Sequence, residues 1–358
     1  MTHPLYIHHQ PSFAQASPGF KNNIVTGRHD SFMPRFLHRY CRWAQQMVRL
    51  FPMKTMKYPE YLFEARSRHL MVWPHQDDEV MYTGLIGRLP EETRFLWVTN
   101  GDGLAPEAGV DPKAYSIIRQ AEADSVLGVL GRDLSKRHCL AYSEIEIYDR
   151  FLDIPATRKR QITALEFFES MFRDIYAHIK AHRPDVLWLP AFQNGHPEHD
   201  LVHIMAALAM RLWSKKAGKH PHIYQVPEYE YTILLPMRFH PAYPYTRHEI
   251  ILTKSEIETK RKAIACYESQ LELIGRFERV INGLGRIGNL IGRGFAIDDF
   301  LAREQFGPVG CNIDYSRPPH LFESTIYMFE RHLDQKIGFA KNIRPIALFL
   351  QGLTEDNE

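Results

Sequence analysis

"HLMVWPHQDDEVMYTG" (69–84) begins as an apolar run of strand length and then breaks into His75, Gln76, Asp77, Asp78 and Glu79. Three consecutive carboxylates directly after a buried strand repel one another unless positive charge sits among them. The strand itself sets the architecture around it. Similar runs recur at 94–100 (RFLWVTN), 185–191 (DVLWLPA) and 222–234 (HIYQVPEYEYTIL), with helical patterns between them at 115–131, 159–182 and 200–218. The first three runs are short, continuous and apolar, as in strands covered on both faces. Strand–helix alternation predicts an α/β fold built on a mostly parallel sheet flanked by helices. In such sheets functional residues gather beyond the C-terminal strand ends. His75, Asn100 and the 192–199 loop all fall there.

The chain has 358 residues, enough for one large α/β domain or two smaller ones. A net charge of +2, from 44 basic and 42 acidic residues, gives no case for nucleic acid as the main partner. Cys41, Cys139, Cys266 and Cys311 lack CxxC spacing, and we read them as reduced thiols of a cytoplasmic protein. The N-terminus lacks the pattern of a secretion signal, and no apolar run has transmembrane length. Residues 1–65 read as an arm followed by a helical extension. In 33–52, Phe36, Tyr40, Trp43, Met47 and Leu50 keep helical spacing among Arg35, Arg39, Arg42 and Arg49. That pattern suits peripheral contact with acidic lipid. It equally suits a helix docked on the protein with its basic face in water, which is the simpler expectation. The main domain is expected over 66–310, with 311–358 a C-terminal extension packed on it. "GLGRIG" (283–288) mimics a dinucleotide fingerprint but has no strand before it. Ile281, Leu284, Ile287 and Ile291 instead predict a helix running through it.

The second informative stretch is "PAFQNGHPEHDLVH" (190–203), which leaves one strand and enters a helix. It carries His196, His199 and His203. Acids at a helix start are favoured by the helix dipole alone, and loop histidines are common. Two such loops after strands of one sheet, however, point to a shared dication. Imidazole nitrogen with carboxylate oxygen suits Zn²⁺, and three protein ligands leave a position for water. The ion would relieve the carboxylate repulsion and lower the pKa of bound water toward ~7. His75 and Asp78 would be ligands on one tight turn. Asp77 would point elsewhere, placed to take a proton from water as it attacks a carbonyl. Glu79 would hold the ligand turn or cap the next helix. From the second loop, one histidine would complete the metal site and another would face the carbonyl as a charged donor. His203, one turn beyond His199 on the same helical face, competes as a ligand or is a helix-face contact.

These residues resemble the LmbE/PIG-L family of zinc-dependent N-acetylglucosaminyl deacetylases. The family signature is a strand ending in His-Pro-Asp-Asp-Glu and a later His-Pro-Asp-His. Here they stand as His75-Gln76-Asp77-Asp78-Glu79 and His196-Pro197-Glu198-His199. "VTNGDG" (98–103), "RQAEADSVLG" (119–128), "RPDVLWLPA" (183–191), "KRKAIACYESQ" (260–270) and "AREQF" (302–306) are similar to further family segments, so the likeness covers roughly 68–310. The resemblance implies a Rossmann-like fold. It implies His75, Asp78 and His199 as metal ligands, Asp77 as general base and His196 as oxyanion stabiliser. It also implies Arg119 and Asp102 as substrate contacts, although Arg119 equally suits a helix partner of Glu122. Gln76 and Glu198 depart from the signature at positions not expected to carry chemistry. The implied cofactor is Zn²⁺, with Fe²⁺ also suited to such ligands. The implied reaction removes the N-acetyl group from an N-acetylglucosamine-type sugar or conjugate. Alternatives are hydrolysis of another N-acyl amide, such as a natural-product or peptide-like intermediate, and sugar or metal binding without turnover.

Overall fold

β2 (His69–Trp73) and β5 (Val186–Pro190) are buried at every position, and β3 (Arg94–Thr99) at all but its first. Period-two alternation explains how. Leu70, Val72, Leu96, Val98, Leu187 and Leu189 enter one apolar core, while Met71, Trp73, Phe95, Trp97, Val186 and Trp188 enter a second core on the other face. The computed structural model describes residues 55–56, 59–230, 237–240, 243, 246–289, 296–310, 313–318, 327 and 331–355, all within one unit of the chain, Met47–Glu358. The amphipathic stretch at 33–52 lies outside the described residues.

Among the described residues the main sheet has the order β1-β7-β8-β6-β5-β2-β3-β4. The remaining strands are β1 (Thr55–Met56), β4 (Arg137–Tyr142), β6 (His222–Val226), β7 (Arg247–Ile251) and β8 (Arg303–Pro308). β2, β3, β4, β5 and β6 pair in parallel, as do β1 and β7, whereas β8 is antiparallel to both its neighbours. The sheet is therefore α/β and mostly parallel, as the alternation predicts.

The longer helices are α1 (Thr83–Arg88), α2 (Pro112–Val129), α3 (Glu144–Asp153), α4 (Arg158–His182), α5 (Pro197–Ala217), α6 (Lys254–Ala265), α7 (Leu271–Asn289) and α8 (Arg344–Glu355). α5 is buried almost throughout, because the sheet covers one side and α4 and α8 cover the other. Ile346, Ala347 and Leu350 of α8 join that same core. "GLGRIG" lies inside α7. The apolar run at 222–234 yields a strand only to Val226, since Pro227 has no N–H to continue the ladder. No helix among the described residues is long and apolar enough to cross a membrane.

One buried ion pair ties these layers to the loop after β2. Glu304 on β8 accepts the N–H groups of Gly84 (2.9 Å) and Leu85 (2.6 Å) at the start of α1. Its carboxylate also lies 2.7 Å from the Lys260 ammonium, and both side chains are almost fully buried. Lys260 in turn donates to the Met81 and Leu301 carbonyls. Glu304→Ala strands that ammonium and both N–H groups. Urea denaturation is expected to show a loss of about 3–5 kcal/mol.

Candidate metal centre

The chain leaves β2 through Pro74 and turns at Asp77, whose backbone has φ +109° and ψ −19°. Left-handed geometry is uncommon outside glycine, although Asp and Asn tolerate it best. The turn brings Asp78 back onto the strand end, where Asp78 Oδ2 accepts the His75 N–H at 2.8 Å and lies 3.7 Å from His75 Nδ1. From the other loop, Pro197 starts α5 immediately after His196. Asp200 accepts the N–H groups of Gln193 (3.0 Å) and Asn194 (3.3 Å), which pins the loop. His199, in the first turn of α5, then sets Nε2 at 3.2 Å from His75 Nδ1 and 3.3 Å from Asp78 Oδ1. Three donors thus converge from two distant loops, all of them buried. A tetrahedral zinc with bonds of ~2.05 Å separates its ligand atoms by ~3.3 Å. The His75–His199 and His199–Asp78 Oδ1 spacings match that demand, while Asp78 meets His75 through its other oxygen at 3.7 Å.

The far nitrogen of each imidazole is held as well. His75 Nε2 lies 2.8 Å from Glu198 Oε2, and His199 Nδ1 lies 2.8 Å from Glu228 Oε2. A carboxylate behind a histidine fixes its ring orientation and raises its basicity as a ligand. Glu198 was expected to be idle, yet it has this task. Glu228 was missed entirely. Its one signal is position, two residues beyond the C-terminal end of β6. Among the described residues, donor atoms close enough to share an ion form three overlapping groups: His75–His196–His199, His75–Glu144–Glu198 and Asp78–His199–Glu228; the trio expected from sequence is split between the first and the third, which share His199. His203 is in none of them. Its Nδ1 lies 2.8 Å from the Pro190 carbonyl and its Nε2 lies 3.0 Å from the Tyr315 hydroxyl, so it tethers α5 to the strand end. Glu228→Ala is expected to weaken zinc binding ~10–100-fold, read by competition with a chelator.

Burial acts against every charge in this cluster, and the partners decide the outcome. His199 loses basicity by burial, but Asp78 and Glu228 overcome that and lift it to about 10. His75 is likewise raised well above 6.5 by Glu144 and Glu198 against its burial. Asp78, despite burial, is held well below the usual carboxylate range by His199 and His75. Burial and then Asp78 push Glu228 up to about 8. The repulsion posed by the acidic run is therefore answered by two imidazoles and by Arg119. His196, half-buried, has its ring 5.1 Å from that of His75 and 5.0 Å from that of His199. Burial and those two neighbours hold it well below 6.5.

A testable consequence follows from the signs. Raised histidines keep their protons at neutral pH, and a dication takes the nitrogen only after the proton leaves. Zinc binding at about pH 7 is expected to release at least one proton per ion. Apparent affinity should rise with pH until about 10, where His199 itself deprotonates. Calorimetry in two buffers of different ionisation enthalpy measures the release directly.

Around Asp77 a second network forms. Burial raises Asp77 to about 6, with Arg119 opposing. Arg119 is buried, lies 3.0 Å from Asp77 Oδ2 and 3.3 Å from Glu122 Oε2, and donates to the Gln76 carbonyl. It thus has the expected helix partner and also grips the proposed base. Its guanidinium packs 4.7 Å over the Tyr267 ring, and Tyr267 donates to Glu79 Oε1 at 2.5 Å. Glu79 Oε2 accepts the Asp77 N–H at 3.1 Å, so Glu79 holds the ligand turn from inside. Gln76 donates its amide to the Thr99 carbonyl at 2.9 Å, a bond the family's proline cannot make. Gly101 (φ +82°) passes so close that a Cβ there would meet Gln76 Oε1 at 2.6 Å and Arg119 Cβ at 2.8 Å. Asp102 turns the other way. Its oxygens accept from the Glu144 N–H (2.8 Å) and the Ser143 hydroxyl (2.6 Å) at the start of α3, which engages the carboxylate in the fold.

Residues 70–210 match the family model described as PIG-L: GlcNAc-PI de-N-acetylase. The match to the PIG-L family is confined to that segment. The matched segment contains both loops of the cluster, together with Arg119, and ends within α5; Glu228 lies beyond it. In solved structures the chain is similar to an N,N'-diacetylchitobiose deacetylase from Pyrococcus horikoshii, with 18% identity over 78% of this chain and 93% of that one and a TM-score of 0.46. It is also similar to a deacetylase of the teicoplanin biosynthesis pathway, with 14% identity over 69% and 100% of the chains and a TM-score of 0.46. A conserved protein from Thermus thermophilus is similar at 18% identity over 69% and 97%, with a TM-score of 0.40. Among curated proteins, none matches the chain.

Proposed function

We propose that this chain is a metal-dependent amidohydrolase that removes the N-acetyl group from an N-acetylglucosamine-type sugar or conjugate. One observation carries the reading: His75 Nδ1, His199 Nε2 and Asp78 converge within 3.2–3.7 Å, with Asp77 adjacent on the same turn. The description of the matched family, GlcNAc-PI de-N-acetylase, supports the substrate class. A Zn²⁺ ion held by His75, Asp78 and His199 would supply Lewis acidity toward the acetamide carbonyl and toward water. Asp77 takes a proton from the attacking water and returns it to the leaving nitrogen, so that acetate and an amine result. Its value of about 6 suits both directions near neutral pH. Arg119 keeps the Asp77 carboxylate oriented, and Glu79 fixes its backbone. His196 donates an imidazole N–H to the carbonyl oxygen as negative charge develops there. Glu198 and Glu228 keep the two ligand rings aimed.

The test is acetate release from a panel of N-acetylglucosamine conjugates by the zinc-loaded protein. A parallel panel of other N-acyl amides covers the neighbouring reading. Acetate from the sugar conjugates supports the proposal. Turnover confined to the other amides moves the substrate class. No turnover, with no stoichiometric dication retained, overturns the hydrolase reading.

A further inference from the structure

The opposite end of the sheet holds a cavity of about 290 Å³ between the starts of β3 and β4 and the last turns of α4. Its lining includes Arg94, Lys136, Arg137, His138, His178 and His182, and no Asp or Glu. Arg94 opens β3 while Asn100 follows its end, so the cavity and the metal centre lie roughly 20 Å apart along that strand. We propose that this cavity binds a small dianion of the phosphate class, as free phosphate or as the end of a phosphomonoester.

The fold gathers guanidinium, ammonium and imidazole N–H donors around this space with no acid in the lining, a donor set that suits an anion's oxygens. Two of the six are answered by acids from outside the lining. Lys136 lies 2.7 Å from Glu92, and Arg137 makes a two-pronged contact with Asp124. The other acids nearby are engaged elsewhere. Asp174 accepts the Tyr142 hydroxyl at 2.6 Å, and Asp185 takes Arg68 through both oxygens. Arg94 is exposed and has no ion-pair partner among the described residues. The His138 and His178 rings lie 4.2 Å apart. Burial lowers the pKa of His178 and of His182, with Arg94 adding and Asp174 or Asp185 opposing, so the rings act here as neutral N–H donors; His182 Nε2 already lies 3.0 Å from the His69 carbonyl, which leaves His138 and His178 as the imidazoles open to a ligand.

Cations near the C-terminal end of a helix offset its dipole, which would account for His178 and His182 without any ligand. It does not account for Arg94 and His138, which sit at strand starts. A guanidinium fork beside imidazole N–H donors matches the oxygens of a phosphate.

The experiment titrates the full-length, zinc-loaded protein with inorganic phosphate and, separately, with glycerol phosphate. Calorimetry is run at about pH 7 and constant ionic strength, with acetate as the anion control. Saturable phosphate binding is expected, at least tenfold weaker in the Arg94→Ala/His178→Ala double variant and unchanged in Asp78→Ala. Circular dichroism confirms that each variant is folded; the exposed single variant Arg94→Glu carries the test if the double variant is not. Tighter binding of glycerol phosphate than of phosphate assigns a phosphomonoester, the reverse assigns free phosphate, and either supports the site. The proposal is overturned by absence of binding, by equal binding of acetate, or by phosphate binding that Asp78→Ala abolishes and the Arg94 variants leave intact.

Discussion

Asp77→Asn is expected to keep zinc and lose ~10²–10⁴-fold in turnover, the range a positioned general base contributes. The substitution is chosen for the backbone. Asp77 sits at φ +109°, a region asparagine tolerates almost as well as aspartate, so the turn that aims His75 and Asp78 should persist. The amide still offers an oxygen to Arg119 but has no basic site for the proton of water. Asp77→Ala should behave worse, because alanine at positive φ adds backbone strain of about 1–2 kcal/mol to the lost base. Metal content and acetate release, measured on the same preparation, separate the two effects. Asp77→Asn with full activity would remove the residue from its catalytic role.

Asp78→Ala should lose the metal itself. Asp78 meets both proposed ligand histidines and accepts the His75 N–H, so its removal deletes one proposed donor and loosens the other two. If three ligands share ~10–16 kcal/mol of zinc affinity, losing one costs ~3–5 kcal/mol, or ~10²–10⁴-fold. His75→Ala should behave alike. Dialysis followed by elemental analysis is expected to find little zinc in either variant, while circular dichroism remains close to the parent. Undiminished zinc in Asp78→Ala would exclude that carboxylate from the ligand set and, with it, the convergence on which the hydrolase proposal rests.

The two tests address residues that local pattern exposes. β2, β3 and β5 announce themselves because a strand covered on both faces must be apolar at each position. The loops that follow them stand out against that background. β4, β7 and β8 did not, since RHCLAY, RHEII and REQFGP mix charge into every strand. β4 is a sheet edge with half-exposed side chains, whereas on β8 Glu304 is buried against Lys260. Neither circumstance leaves an apolar run to read.

What the sequence by itself determined was the α/β sheet, its covered strands and the two histidine–carboxylate loops at their ends, because strand burial and turn chemistry are written in neighbouring residues. What only the tertiary structure decided was which chemically equivalent groups face one another. Glu228 reaches His199, Asp102 binds the start of α3, His203 is held by Pro190 and Tyr315, and Arg119 spans Asp77 and Glu122. A carboxylate or imidazole carries the same chemistry wherever it stands in the chain. Its partner, and hence its charge and its role, is set by contacts between segments far apart in sequence.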